Sequence, residues 1–158
     1  MEEADLVFLR MAINLSRQAR EHGNHPFGAL LAAGDGRAVL QAENTVNTER
    51  DCTCHAEMNL VRLAARRYAR DELAGMTLYT STEPCPMCSG AIYWSGIKRV
   101  VFALSALSLY QLTASRSGMN LPRSHVILDA GAVEVCGPAL EDEAIGPHRG
   151  FWSAPERE

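Results

Sequence analysis

The sequence predicts an α/β fold, a three-layer α/β/α sandwich built on a central mixed five-stranded sheet. Three observations lead there. Elements follow the order α-β-β-α-β-α-β-α-β, a glycine-rich turn joins two early apolar runs, and later apolar runs are separated by helical patterns long enough to act as crossovers. The turn makes the first two strands antiparallel. The crossovers make the later strands parallel and cover both faces of the sheet.

Asp5 is placed to cap a first helix running to about Glu21, stopped by His22-Gly23-Asn24, with Leu6, Leu9, Ala12, Ile13 and Ser16 on its apolar side. Phe27 to Ala33 and Ala38 to Thr45 flank Gly34-Asp35-Gly36-Arg37, where glycine permits the positive φ of a tight hairpin. Val46 to Cys54 reads as a loop. His55 opens an apolar-periodic helix to Tyr68, with Met58, Leu60, Val61, Leu63 and Ala64 as core candidates. Met76 to Ser81 is a buried strand, and Thr82 to Pro84 is the turn after it. Pro86 to Ser95 is a helix with proline at its first position, where the missing N–H costs nothing, and with Gly96 as its stop. Arg99 to Leu104 is the next strand. Leu107 to Arg116 has helical spacing, Gly118 to Ser124 is a loop holding Pro122, and one or both of His125 to Leu128 and Val133 to Cys136 are strand. With no repeat or linker in view, residues 1–158 read as one domain, and 138–158 as a C-terminal segment that could cap a site.

Composition narrows the function. Apolar residues make up 47% and charged residues 22%, and no apolar run is long enough for a membrane span or a signal peptide, so a cytoplasmic protein is expected. A net charge of −4 gives no general attraction for a polyanion, so nucleic acid is not the expected partner. Five cysteines, an odd number, fit a reducing compartment better than a disulfide framework, and Cys136 reads as core.

Two short clusters carry the chemistry. His55-Ala56-Glu57 and Pro84-Cys85-Pro86-Met87-Cys88 supply an imidazole, two thiols and a carboxylate. Cys85 sits at the start of its helix and Cys88 one turn on, so both thiolates gain from the positive helix end. An N/S set of His55, Cys85 and Cys88 suits Zn²⁺, and three ligands instead of four leave a position for water. Zinc brings the pKa of that water towards neutrality, and Glu57 beside it is the candidate catalytic proton carrier. The alternative is a closed structural site, with Cys52 or Cys54 as fourth ligand and Glu57 an ordinary first-turn acid. H-x-E followed by P-C-x-x-C is the signature of zinc-dependent nucleobase deaminases, and the chain matches it in full.

These motifs, with Pro26-Phe27-Gly28-Ala29 and Asn44, fall in the order seen in the cytidine deaminase-like superfamily, which the chain resembles over most of residues 4–104. Within it, the chain is most similar to the branch holding guanine, cytosine and tRNA adenosine deaminases. Glu83-Pro84-Cys85-Pro86-Met87-Cys88-Ser89-Gly90-Ala91-Ile92-Tyr93-Trp94 looks most like guanine deaminase. The resemblance implies a homodimer with one zinc per subunit and hydrolytic loss of ammonia from a ring. By the same resemblance Asn44 hydrogen-bonds the base, Phe27 stacks on it, the Ala56 N–H contacts a ring carbonyl and Trp94 walls the pocket. Phe151 and Trp152 would close it, with His148 as a polar contact.

Two features bear on the substrate. Guanine deaminases of this kind are expected to place an acid after the fourth strand, but no Asp or Glu lies between Glu83 and Asp129, which counts against guanine. The C-terminal basic helix expected of tRNA enzymes is also missing: Arg149 and Arg157 face Glu141, Asp142, Glu143, Glu156 and Glu158. Arg62, Arg66, Arg67 and Arg70 read as a solvated helix face. The expected reaction is hydrolytic deamination of a small free heterocycle such as cytosine, guanine or a related aminopyrimidine, aminopurine or aminotriazine. A tRNA-specific adenosine deaminase is the alternative.

Overall fold

A computed structural model describes residues 1–113 and 123–152. Five strands form one sheet in the order β2-β1-β3-β4-β5: β1 (Gly28–Ala32), β2 (Ala38–Glu43), β3 (Thr77–Thr82), β4 (Arg99–Leu104) and β5 (Glu134–Cys136). β1 runs antiparallel to β2 and β3, while β3, β4 and β5 are parallel, so the expected mixed sheet is present.

Helices cover both faces. On one, α3 (Ala56–Arg67), α5 (Pro86–Ser95) and α7 (Ser124–Leu128) bury Leu60, Ile92 and Leu128 against Leu31, Leu78 and Val100. On the other, α1 (Glu3–Glu21) and α8 (Glu141–Ala144) bury Leu9, Ile13 and Ala144 against Leu30, Tyr79 and Val101. Alternate side chains of β1 and β3 thus serve opposite layers, as a period of two requires. Each fully buried Leu or Ile contributes roughly 1.5–3 kcal/mol. α6 (Ala106–Thr113) follows β4 directly.

Gly28 lets α1 lie close to the sheet. A Cβ there would fall 2.5 Å from Leu15 Cβ and 2.6 Å from both Ala12 O and Ser16 N. Gly96 ends α5 with φ 94°, a left-handed stop that glycine adopts without strain.

Three sequence expectations change, and a fourth, that one or both of the last two runs are strand, narrows to β5 alone. Asp5 is the third residue of α1 rather than its cap; its carboxylate accepts the Glu2 N–H, the Tyr79 hydroxyl at 2.7 Å and two Arg99 nitrogens at 2.9 Å. That pin ties the start of α1 to β3 and β4, and the Arg99 guanidinium holds the Asp5 carboxyl well below the usual carboxylate range. His125 to Leu128 is helical, because Ser124 anchors its start on Glu83 and the turn packs on α5. The loop after β2 contains a short helix, α2 (Val46–Glu49), and α4 (Arg70–Ala74) follows α3. Leu63 faces outward, 46% exposed, while Leu60 and Ala64 carry the buried stripe of α3. The helical reading to Arg116 and the loop containing Pro122 extend into residues 114–122, outside the described residues, as does 153–158 of the C-terminal segment.

Candidate metal centre

Two helix starts converge. His55 is the N-cap residue of α3 and Cys85 that of α5, with Cys88 one turn inside α5. Pro86 at the first position of α5 presets its backbone, so the spacing of two residues between the cysteines puts both sulfurs on one side. α3 and α5 pack side by side, which brings the imidazole to the sulfurs.

The ligand atoms form a nearly equilateral triangle. Cys85 Sγ lies 3.6 Å from Cys88 Sγ and 3.7 Å from His55 Nδ1, and Cys88 Sγ lies 3.5 Å from that nitrogen. Tetrahedral bonds of about 2.3 Å to sulfur and about 2.1 Å to nitrogen would place ligand atoms roughly 3.6–3.8 Å apart, so these edges fit zinc. Among the described residues the cluster consists of His55, Cys85 and Cys88 alone. Cys52 is exposed, and buried Cys54 points its thiol at Glu49 at 3.5 Å, so neither supplies the fourth ligand of a closed site.

The charges in this cluster are coupled. The hydrogen bond from Cys88 holds the Cys85 thiol down to about 4, against the opposing effect of burial, with His55 also helping. The same bond and burial push the Cys88 thiol up, and Cys85 draws the His55 pKa upward. A bound cation reverses the situation at Cys88, since a coordinating thiol is deprotonated outright.

Glu57 lies in the first turn of α3 and is 5% exposed. Its Oε2 is 3.7 Å from Cys88 Sγ and its Oε1 is 3.0 Å from Thr80 Oγ1. The Thr80 hydroxyl also lies 3.1 Å from Thr82 O and 3.5 Å from Gly28 O, so its single proton serves one of the three at a time. Burial raises the Glu57 pKa, and the neighbouring Cys85 adds to the rise.

A cavity of about 150 Å³ adjoins this cluster, lined by Phe27, His55, Glu57, Thr82 to Cys85, Ala106, Leu109, Tyr110 and Arg123. Glu83 holds its far wall in place. Its buried carboxylate accepts the Ala106 N–H at 3.0 Å, the Ser124 N–H at 3.2 Å and hydroxyl at 2.9 Å, and the Arg123 Nη2 at 3.2 Å. Burial opposes the charge, but those donors outweigh it and the Glu83 pKa is lowered. On the C-terminal side Glu141 accepts the Ser105 N–H at 3.0 Å and the Ser105 and Ser108 hydroxyls at 2.7 and 2.9 Å. The start of α6, which carries Leu109 and Tyr110, is thereby hung between two carboxylates.

The other residues expected at the site divide. Phe27 lines the cavity, and Ala56 is the buried first residue of α3, whose N–H is among the donors a helix start leaves free of intrahelical partners. Asn44 is 1% exposed; its Oδ1 accepts the Val46 N–H at 3.1 Å and its Nδ2 has no partner among the described residues. His148 and Trp152 pack on Phe27 with ring centroids 5.2 and 6.1 Å away, and Trp152 Nε1 donates to His148 Nδ1 at 3.2 Å. Phe151 lies farther out under Arg20, which also donates to Pro147 O and Arg149 O. These three C-terminal rings are absent from the cavity lining; His148 and Trp152 sit against Phe27 instead, and Phe151 packs on Trp152. Trp94 does not wall the cavity: it is 74% exposed and packs on Tyr93. Thr82, Glu83, Tyr110 and Arg123 went unassigned in the sequence. Only Glu83, an acid directly before Pro84-Cys85, offered a signal.

Comparison with known proteins agrees with this donor set. The family model for the cytidine and deoxycytidylate deaminase zinc-binding region matches residues 2–104. The chain is 48% identical over 157 residues to a probable cytosine deaminase of Schizosaccharomyces pombe, covering 96% of this chain and 94% of that one. It is 41% identical over 98 residues to guanine deaminase of Bacillus subtilis, covering 61% of this chain and 62% of that one. A tRNA-specific adenosine deaminase of the same bacterium is 38% identical over 98 residues, covering 62% and 60%. A solved protein in complex with 2,6-diaminopurine superposes with TM-score 0.79 at 26% identity, over 94% of this chain and 81% of that one. Zinc is the metal this family binds, and it is the metal that the triangle of ligand atoms fits.

Proposed function

This chain belongs to the cytidine and deoxycytidylate deaminase family, and from that premise we propose that it hydrolyses the amine of a small, free, single-ring nucleobase, with cytosine as the first candidate. The family places it among zinc-dependent hydrolytic deaminases. Cavity size carries the finer reading. About 150 Å³ is the volume in which an engineered apolar cavity elsewhere holds benzene, and it is well below the roughly 300–1,000 Å³ of sites for larger ligands. A six-membered ring fits that space, and the near full-length match to a probable cytosine deaminase supports the same choice.

His55, Cys85 and Cys88 would hold zinc, which when bound supplies a Lewis acid that lowers the pKa of water towards neutrality. Glu57 carries both protons of the attacking water: it delivers the first to a ring nitrogen, then takes the second from the hydroxyl added to the ring carbon and passes it to the amine, which leaves as ammonia while the carbonyl forms. Its burial supports this, because desolvation raises the Glu57 pKa and so eases the uptake of a proton by its carboxylate. Phe27 stacks on the ring, while the Asn44 amide and the Ala56 N–H meet its polar edge. His148 and Trp152 brace Phe27, and Phe151 packs behind Trp152. The enzyme works as a homodimer, a reading supported by the exposed apolar side chains Leu63 on α3 and Met87 and Trp94 on α5.

Ammonia release from zinc-loaded protein, measured on free bases, nucleosides and a tRNA anticodon stem-loop, tests the proposal. Cytosine should be the best substrate of the panel. Activity confined to the stem-loop would establish the tRNA alternative instead.

A further inference from the structure

Resting on the ring-deaminase reading above, we propose that Thr82 is a substrate-specificity residue whose hydroxyl hydrogen-bonds a polar edge atom of the bound heterocycle. Thr82 ends β3, three residues before Cys85, and lines the cavity together with His55, Glu57 and Cys85. It is 3% exposed, and its Oγ1 has no hydrogen-bond partner among the described residues.

Its neighbours make that unusual. Thr80 Oγ1 meets Glu57, Ser81 Oγ accepts the Gly28 N–H at 3.1 Å, and Glu83 accepts from Ala106, Arg123 and Ser124. Within Thr80 to Glu83, Thr82 alone has an unpaired side-chain polar group among the described residues. A buried hydroxyl without a partner destabilises a fold, and valine fills the same space without that cost. β3 also favours a β-branched residue, so valine would serve the strand equally well. The hydroxyl is therefore explained by a partner that arrives in the cavity.

Cavity chemistry indicates what that partner is. Phe27, Pro84, Ala106 and Leu109 offer apolar surface to the flat of a ring, whereas the Thr82 hydroxyl can both donate and accept at its edge. An aminopyrimidine presents carbonyl and ring-nitrogen acceptors beside N–H donors, so one hydroxyl can read whichever atom faces it. Sites that hydrogen-bond a substrate edge discriminate strongly against analogues lacking that group.

Thr82→Val and Thr82→Ser, made in the full chain and loaded with zinc, test this. The valine variant should keep its zinc, melt at the wild-type temperature or above it, and lose about ten- to a hundredfold in kcat/KM on the best substrate of the ammonia panel. Serine should restore most of that loss. Wild-type kcat/KM in the valine variant would overturn the proposal. So would a lower melting temperature in that variant, since the hydroxyl would then be paired inside the fold. If the wild type acts only on the anticodon stem-loop, the free-base reading fails separately, and the same comparison on that substrate decides the role of Thr82.

Discussion

The two ends of the cavity are built in different ways. At the metal end, His55, Glu57, Cys85 and Cys88 come from the first turns of two adjacent helices, so their geometry follows from short, local motifs. At the far end, Ala106, Leu109, Tyr110 and Arg123 come from segments that reach the site only because Glu83 and Glu141 hold them there. Helix starts impose the positions that metal chemistry needs. Carboxylate clamps between distant segments form a wall whose side chains can change without disturbing that chemistry.

The sharpest test of this division removes Glu57. Glu57→Gln should lower kcat by about a thousandfold while zinc content and substrate binding stay near wild type, as expected for a proton carrier. Zinc loss in that variant would mean that the two ends are not separable. Next in size, Glu83→Ala should destabilise the protein by about 3 kcal/mol in urea unfolding, because the Ala106 and Ser124 donors lose a buried acceptor. Its zinc content should hold, and the kinetic loss should fall more on KM than on kcat.

The smallest expected effect concerns the layer behind Phe27. Burial, with a smaller push from Arg20, lowers the His148 pKa to about 4, from 6.5 in an unfolded chain. The fold therefore favours the neutral ring. Its contribution is complete above about pH 6.5 and is lost as the pH falls towards 4, amounting to about 2 kcal/mol between pH 7 and pH 5. The groups packed around this ring are Phe27 and Trp152, with Arg20 the nearby charge, and none is an acid that would offset the loss. Between pH 7 and pH 5 wild type should lose about 2 kcal/mol of stability in urea unfolding that His148→Phe keeps.

The same contrast explains what could be read from the sequence. α5 was legible to the residue, since proline at its first position and Gly96 after its last mark both ends, and Arg99–Leu104 was equally plain as an apolar run. The zinc triad was legible because its ligands sit at fixed short spacings. Asp5 looked like a cap, and nothing nearby in the sequence reveals that Tyr79 and Arg99 claim its carboxylate. The roles of Glu83 and Thr82 were hidden in the same way: one acts through residues more than twenty positions away, and the other is conspicuous only once its neighbours' hydrogen bonds are known. The Val-Ile-Leu run of α7 has strand propensity, but its anchoring through Ser124 and its packing on α5 override it.

Gly28 links the scaffold to this site in a way that bears on engineering. Its missing side chain lets α1 rest on β1, and the residue before it is Phe27, the ring shared by the cavity and the C-terminal aromatic layer. Even alanine there would lever the helix outward and tilt that ring. A saturation library aimed at new substrates should leave this position untouched and spend its diversity on Leu109 and Tyr110, where a larger or smaller side chain reshapes the chamber and leaves the framework alone.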